Sequence, residues 1–141
     1  MKRYKKLSED KMKKIFLGGT LGGTNVESDW REKLISLLKI KYFNPVVENW
    51  TPSDQKEEIK QRETCDFCLY YITSKMQGVY AIAEAIDDSN KRPEKTIFGF
   101  DSKGFSESQI KSLDQVSAMV KSNGGKNINT LEAIAKYVNK N

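Results

Sequence analysis

The sequence predicts an α/β domain with a parallel sheet of about five strands and helices on both faces. Segments typical of strands alternate with segments typical of helices, and there is no repeat or low-complexity segment. Two predicted strands, within 66–72 and 96–100, are apolar almost throughout, as expected when helices cover both faces of a sheet. We therefore expect right-handed crossovers, with ligands binding beyond the carboxyl ends of the strands.

The first predicted elements are a strand, a glycine-rich loop and a helix. KIFL at 14–17 has the apolar character of a buried strand, and the loop spans 18–25. Thr24 and Glu27 have the spacing of a capping box, which predicts the start of a helix. The apolar residues of this helix recur on one stripe, typical of a helix that packs on a sheet: Val26, Trp30, Leu34, Leu37 and Leu38.

The middle of the chain predicts a short strand, a charged helix and a central strand. The short strand spans 40–43 and ends at the Asn-Pro pair that follows it. After the loop VVENWTP, we expect Ser53 or Asp54 to cap a helix whose main apolar residue is Ile59. The third strand, 67–73, comes directly after this helix.

The second half of the chain predicts three further helices and two strands, from apolar stripes and turn residues. In chain order, these are a helix at 79–89, a strand at 96–100, a helix at 106–121, an edge strand near 127–128, and a last helix capped by Asn129 with Glu132 at the boxed position.

The net charge of +5 belongs to the beginning of the chain. Residues 1–14 hold seven basic and two acidic residues, and the rest of the chain holds 17 of each sign. We interpret 1–12 as a flexible basic extension and 13–141 as the folded domain. A polyanion-binding arm is the less favoured alternative, because nucleic-acid binders normally carry their positive face on the folded domain. We therefore expect no nucleic-acid polymer as a partner.

The absence of histidine removes whole classes of chemistry. Ser–His–Asp and Cys–His catalysis and histidine-ligated metals are excluded. Cys65 and Cys68 have CxxC spacing, but the pair runs into a predicted strand, and two thiols do not complete a zinc site. We interpret both as buried apolar residues in a reducing compartment. The apolar run at 15–17 is too short for a signal peptide or a membrane span. These patterns predict a cytoplasmic protein that uses no metal or other cofactor and no membrane partner.

The glycine-rich loop GGTLGGTN is a candidate binding element. Gly18, Gly19 and Thr20 follow the first predicted strand, where backbone N–H groups and a helix N-terminus favour an anion or a sugar. The loop matches neither the dinucleotide-binding nor the P-loop pattern. The alternative is that the glycines only permit a tight turn.

Glu84 is the candidate catalytic carboxylate. On a helical projection, it lies one turn from Tyr80, with Asp87 and Asp88 nearby. The opposite, apolar face is predicted to contain Val79, Ile82, Ala83 and Ile86. A solvated acidic face is an equally good interpretation of this pattern. The same two interpretations apply to three acids of the charged helix: Glu57, Glu58 and Glu63.

The loop FNPVVENWTP adds aromatic and amide groups beside the same crevice. Trp50 is a candidate to stack on a heterocyclic base, and Asn44 or Asn49 to bond its edge. A tryptophan that merely packs on a neighbour is the alternative.

Four segments together resemble the nucleoside 2-deoxyribosyltransferase superfamily, in particular its 2-deoxyribosyltransferase-like branch. They are KIFLGGT, YFNPVVENW, CDFCLYYIT with GVYAIAE, and NKRPEKTIF, and the similarity covers about 13–138. GGTLGG is similar to the glycine-rich loop of 2'-deoxynucleoside 5'-monophosphate N-glycosidases. The resemblance implies a flavodoxin/Rossmann-like three-layer sandwich with five parallel strands. It also implies homodimers or larger homo-oligomers, often with a neighbour completing the site.

The resemblance assigns roles to ten residues. It implies that the domain handles a small nucleoside or nucleotide, by 2-deoxyribosyl transfer or by hydrolysis of the N-glycosidic bond, with Glu84 as nucleophile and Glu58 as second carboxyl. Substrate contacts are then expected from three groups: Gly18, Gly19 and Thr20 for the sugar or a 5'-phosphate, Asn44, Pro45 and Trp50 for the base, and Gly78 and Tyr80 beside the nucleophile.

Two positions depart from the family pattern. The family's G-x-x-x-E spacing, counted from Gly78, falls on Ile82, and two further residues turn a helix by about 200° before Glu84 is reached. The family's Asp between strand and glycine is absent, and Thr73, Ser74 and Lys75 occupy that region. A catalytically inactive nucleotide-binding module on the same fold is therefore the alternative function.

Overall fold

The sheet is built around the two apolar segments that the sequence singles out. The structure is a computed structural model that describes residues 12–21 and 30–141. Within these residues, the strands are β1 Lys14–Gly19, β2 Lys41–Phe43, β3 Phe67–Ile72, β4 Thr96–Phe100 and β5 Lys126–Asn127. Every residue of β3 and of β4 is buried, because helices cover both faces of the sheet.

The strands are all parallel, in the order β2-β1-β3-β4-β5. The helices are α1 Trp30–Leu37, α2 Pro52–Thr64, α3 Tyr80–Lys91, α4 Glu107–Ser122 and α5 Leu131–Lys140, with a short 3₁₀ helix at Pro93–Lys95. This confirms the predicted three-layer α/β fold. Residues 1–11 and the predicted Thr24–Glu27 capping box lie outside the described residues.

Two apolar clusters fix the helices on the sheet. On one face, Leu34 of α1 and Ile134 of α5 pack against β1 and β3. On the other face, Ala85 of α3 and Leu113 of α4 pack against β3 and β4. Helix α2 differs from the others because its buried residues are the polar Gln61 and Arg62.

Two helix starts differ from the prediction. Helix α2 begins at Pro52 with Thr51 as its cap, in place of Ser53 or Asp54, because proline fits the first helical position and Thr51 forms a reciprocal capping box with Asp54. Helix α5 is capped by Thr130, whose hydroxyl accepts from Ala133 N at 3.2 Å. The predicted cap Asn129 instead accepts from Phe100 N at 3.2 Å.

The inner face of α3 also differs from the prediction. Val79 is 66 % exposed and Ala83 is exposed, whereas Ala85, Asp88 and Ser89 are the buried residues of this helix. Ile82 and Ile86 pack against the core as predicted. The projection misses Asp88, which is buried because two arginines neutralise its charge and a tyrosine donates a hydrogen bond to it.

The strand order places a crevice at one position. The chain leaves β1 toward β2 on one side and later returns to β3 on the other, so the loops after β1 and β3 diverge. Ligands of such sheets bind at this switch point, beyond the carboxyl ends of the strands. In the described part of the chain, none of the helices has the length and apolar character needed to cross a bilayer.

Candidate active site

A cavity of about 380 Å³ lies at the switch point, beyond the ends of β1 and β3. It brings together nine of the ten predicted site residues, from the first loop, the loop before α2, α2 itself and α3: Gly18, Gly19, Thr20, Pro45, Trp50, Glu58, Gly78, Tyr80 and Glu84. The tenth, Asn44, does not line the cavity; its Oδ1 accepts from Val46 N at 3.1 Å and shapes the loop instead.

Gly18 and Gly19 are required by the packing of β1 against β3. A Cβ on Gly18 would lie 2.8 Å from the Tyr70 ring. Gly19 has a φ of +124°, and a Cβ there would lie 2.0 Å from the Tyr71 carbonyl oxygen. Thr20 is also engaged, because its hydroxyl accepts from Thr73 N at 2.9 Å. Close packing between neighbouring strands, and not a tight turn, therefore requires both glycines, which also line the cavity.

Arg31 holds the end of β1 and the first residue of the loop that follows it. The sequence pattern did not single out this residue. Its guanidinium donates to the carbonyls of Leu17 at 3.0 Å, Thr20 at 2.7 Å and Gly19 at 3.3 Å. It is 2 % exposed, lines the cavity, and lies over the Trp30 ring at 4.4 Å. Nothing in the helical pattern distinguishes this arginine from a solvated one, because it lies next to the apolar stripe.

Glu84 points into the cavity despite its shifted spacing. Helix α3 begins at Tyr80, so Tyr80 and Glu84 are separated by one turn and both line the cavity. Residues 73–79 connect β3 to α3 and begin with a turn in which Met76 N donates to Thr73 O at 3.0 Å. The two extra residues are therefore accommodated before the helix and do not rotate Glu84 away.

The Glu84 carboxyl is buried beside an arginine and other acids. Its side chain is 15 % exposed, and its Oε2 lies 3.4 Å from Nη1 of Arg62. Burial raises the pKa of Glu84 to about 7; Arg62 lowers the pKa, whereas Glu58, Asp88 and Asp87 raise it further. Glu84 thus changes between acid and carboxylate near neutral pH, as is common for catalytic carboxyl groups.

Glu58 lies across the cavity from α3, on α2. Burial raises its pKa, Asp54 raises it further, and Arg62 opposes the shift. Glu58 in turn raises the pKa of Glu84, and two carboxyl groups that line one cavity in different environments are suited to a division between nucleophile and proton donor.

Arg62 joins α2, α3 and β3 and was also not predicted. Its Nη2 lies 3.0 Å from Asp88 Oδ1, and its Nε donates to Tyr70 Oη at 3.0 Å. Asp88 is fully buried and also accepts from Tyr70 and Arg92. Burial alone would raise the pKa of Asp88, but hydrogen bonds from Arg62, Tyr70 and Arg92 outweigh it and lower the pKa.

The rim of the cavity is aromatic. Trp50 is 55 % exposed and Tyr80 is 68 % exposed. Both also line a second cavity of about 450 Å³ between α2 and α3, as do Glu58 and Glu84. The Glu84 carboxyl therefore borders space on two sides, and the exposed Trp50 ring faces that space instead of being buried against a neighbour.

The residues that stand in the region of the family's Asp do not line the Glu84 cavity. Thr73, Ser74 and Lys75 line a third cavity, of about 500 Å³, together with Lys33 of α1 and Leu131 of α5. Lys75 therefore does not bring a positive charge to the lining around Glu84.

Cys65 and Cys68 are free and buried, which confirms the prediction that they are core residues. Burial raises the pKa of Cys65 to about 11 and that of Cys68 to about 12, so neither is a thiolate at neutral pH. Over the described ranges, no three His, Cys, Asp or Glu side chains are grouped to hold a metal ion.

A parallel sheet of this order, with carboxyl groups at the switch point, is typical of α/β domains that bind small molecules. The family model described as nucleoside 2-deoxyribosyltransferase like matches residues 12–93, more than half of the chain. The chain belongs to this family, and the predicted resemblance is confirmed over these residues. They run from the residues just before β1 to the beginning of the 3₁₀ helix and include the nine predicted residues that line the cavity. No curated protein matches the chain.

Proposed function

We propose that the protein is an N-glycosyl enzyme for 2'-deoxynucleosides or their 5'-monophosphates, with Glu84 as the nucleophile. One observation carries the proposal: Glu84 lines the switch-point cavity together with Glu58 and residues 18–20. The family match supports a nucleoside or nucleotide as the substrate class.

The reaction follows from the placement of the two carboxyl groups. The Glu84 carboxylate attacks C1' of the deoxyribosyl group, the C1'–N bond breaks, and its electron pair remains on the base. Glu58, whose pKa is raised by burial, donates a proton to the departing base. The resulting glycosyl ester is attacked at C1' by a second base or by water, while Glu58 takes up the proton that the attacking group loses. Two displacements at the same carbon give net retention.

Substrate orientation follows from the cavity walls. Gly18, Gly19 and Thr20 line the cavity, where the absence of side chains at the two glycines lets the sugar or a 5'-phosphate approach the end of β1 closely. Pro45 and Trp50 frame the base at the rim, where the exposed indole ring is suited to stacking. Homo-oligomeric assembly and a cytoplasmic location stay predictions.

Glu84→Gln tests the proposal, because the amide keeps the shape of the side chain and removes the nucleophile. Base release from a 2'-deoxynucleoside or its monophosphate should fall by about three orders of magnitude, which corresponds to about 4 kcal/mol of transition-state stabilisation. Glu94→Gln is the control, since Glu94 is exposed and distant from the cavity lining. Wild-type turnover by Glu84→Gln would show that the nucleophile is assigned wrongly.

Trapping the intermediate gives an independent measurement. Wild-type protein quenched during turnover should carry one deoxyribosyl group on the peptide that contains Glu84, as judged by mass spectrometry. Release of base without this adduct in rapidly quenched samples, together with an inverted product, would favour direct attack by water.

The second candidate is a nucleotide-binding module without catalysis. The absence of the family's Asp favours it, because Thr73, Ser74 and Lys75 occupy that region and none of them lines the cavity around Glu84. Calorimetric binding of a deoxynucleoside or monophosphate, with no base released over long incubation, would establish this function in place of the enzyme.

A further inference from the structure

Arg62 presents one nitrogen to Glu84 and uses its other nitrogens elsewhere. Resting on the proposed role of Glu84, we propose that Arg62 is a positioning residue for the reaction, which aims the Glu84 carboxylate at the substrate and keeps it in the anionic form. Arg62 has no part in bond making in this proposal and acts only through Glu84 and α2.

The geometry of the guanidinium carries the argument. Nε donates to Tyr70 Oη at 3.0 Å and to Asp88 Oδ2 at 3.2 Å, and Nη2 lies 3.0 Å from Asp88 Oδ1. Nη2 also lies 3.2 Å from Asp87, and Nη1 lies 3.4 Å from Glu84 Oε2. Because the guanidinium is planar and rigid, fixing Nε and Nη2 also fixes the direction of Nη1.

The spacing along α3 explains why one arginine reaches these acids. Glu84 and Asp88 are four residues apart and lie one above the other on the same helix face. Arg62 enters from α2 against this face, with its side chain only 11 % exposed. Asp88 serves as the anchor because it is fully buried, whereas Glu84 remains at the cavity wall.

Arg62 also determines where α2 lies. The buried residues of α2 are Gln61 and Arg62, and its apolar Ile59 is 47 % exposed. Glu58, the proposed proton donor, precedes Arg62 by one turn of the same helix. Arg62 therefore connects the helix that carries Glu58 to α3, which carries Glu84.

The titratable and charged groups around Glu84 come from four elements and the residue after α3. They are Glu58 and Arg62 of α2, Asp87, Asp88 and Lys91 of α3, Arg92 after α3, Tyr70 of β3 and Arg31 of α1. Arg62 contacts the Glu84 carboxylate directly. Burial and the neighbouring acids raise the pKa of Glu84, and Arg62 opposes them. Without Arg62 the pKa of Glu84 rises further, so less of the nucleophilic carboxylate is present at neutral pH.

Two variants, Arg62→Met and Arg62→Lys, test the proposal, and Arg92→Met is their control. Arg92 donates to the same Asp88 and serves as the matched control for loss of a cation from this network. Two readouts are used: the acidic limb of kcat/KM, and the Glu84 titration followed by NMR of ¹³C-labelled glutamate, assigned with Glu84→Gln. If Arg62 had a merely structural role, its substitution would change the stability of the protein but would shift neither the acidic limb of kcat/KM nor the NMR titration of Glu84.

For Arg62→Met, we expect the acidic limb and the NMR titration of Glu84 to move up by about one pH unit or more. At pH values on the acidic limb of the profile, kcat should then fall about tenfold or more, with a smaller change in KM. Arg62→Lys keeps the charge without the rigid fork, so both titrations should lie between wild type and Arg62→Met. Arg92→Met should leave both near their wild-type positions. If Arg62→Met does not fold, Arg62→Lys carries the test.

The outcomes separate this proposal from the proposed function. If Glu84→Gln abolishes turnover but the Arg62 variants keep wild-type titrations and wild-type kcat, the positioning role is wrong and the enzyme assignment stands. If no Glu84-dependent turnover exists in the wild type, both the enzyme assignment and the positioning role are wrong, even if NMR shows the expected shift.

Discussion

The unfolding free energy of Glu84→Gln, measured relative to that of the wild type, should increase from acidic to alkaline pH. The pKa of Glu84 is raised from an ordinary value of 4.5 to about 7, chiefly by burial. A carboxyl whose pKa is higher in the folded state contributes stability below its unfolded pKa and loses it as the pH rises through its folded pKa. For Glu84 the window of loss therefore lies between pH 4.5 and about 7.

The magnitude follows from the difference between the two pKa values. This pKa difference corresponds to about 3 kcal/mol of stability, which the wild type loses when Glu84 ionises as the pH rises past about 7. Glutamine resembles the protonated acid and has no proton to lose in this range. The difference in unfolding free energy between Glu84→Gln and wild type should thus grow by up to about 3 kcal/mol from about pH 4 to about pH 8.

Urea unfolding of both proteins across this pH range measures the difference directly. Glu94→Gln, at an exposed position, is the control for the loss of one carboxylate. A flat difference for Glu84→Gln, or a variant that loses stability relative to wild type as the pH rises, would refute the reasoning that burial outweighs Arg62. The result would also measure how much stability the protein gives up to keep an ionised carboxylate in its cavity.

Two further pairs of substitutions separate fold from chemistry. Gly19→Ala should destabilise the protein by about 2 kcal/mol or more in urea unfolding, because a side chain at its positive φ would also clash with Tyr71 backbone; Gly78→Ala, where a Cβ meets nothing within 4 Å, should unfold close to wild type. Cys65→Ala and Cys68→Ala should each cost about 1–3 kcal/mol of stability while base release per folded molecule stays at the wild-type level. Comparable stability of the two glycine variants, or loss of turnover in a folded cysteine variant, would contradict these assignments.

The sheet was predictable because its signals are local. The unbroken apolar runs of β3 and β4 identify buried parallel strands without knowledge of their neighbours. The strand order then determines which loops diverge, so a site near the ends of β1 and β3 follows once the order is known. The caps of the helices that begin at Pro52 and Leu131 were missed by one to three positions, because several adjacent residues are good caps and the sequence does not rank them.

The charged part of the site was not predictable, because its pairing is long-range. Asp88 is predicted to lie near the face of Tyr80 and Glu84, either solvated or catalytic, yet it is fully buried. Its partner Arg62 lies 26 positions earlier, in a helix that is charged all round. Arg31 presents the same difficulty, since the carbonyls that hold it belong to a strand end and loop 11 to 14 residues away. Periodicity describes which residues are apolar and carries no information about which charges meet.

The positions of Lys75 and Glu84 show that counting residues along the sequence does not by itself locate a side chain in the site. Counting from Gly78 places Glu84 two residues late, and counting the region of the family's Asp places a lysine near the site. Both arguments assume that the loop between β3 and α3 follows the family's path. In this chain Ser74 and Lys75 line a separate cavity on the α1 and α5 side, whereas Glu84, on a helix that begins at Tyr80, lines the switch-point cavity. A spacing counted along the sequence therefore does not determine which cavity a residue of this region lines, and the Glu84→Gln variant is what distinguishes an enzyme from a binding module.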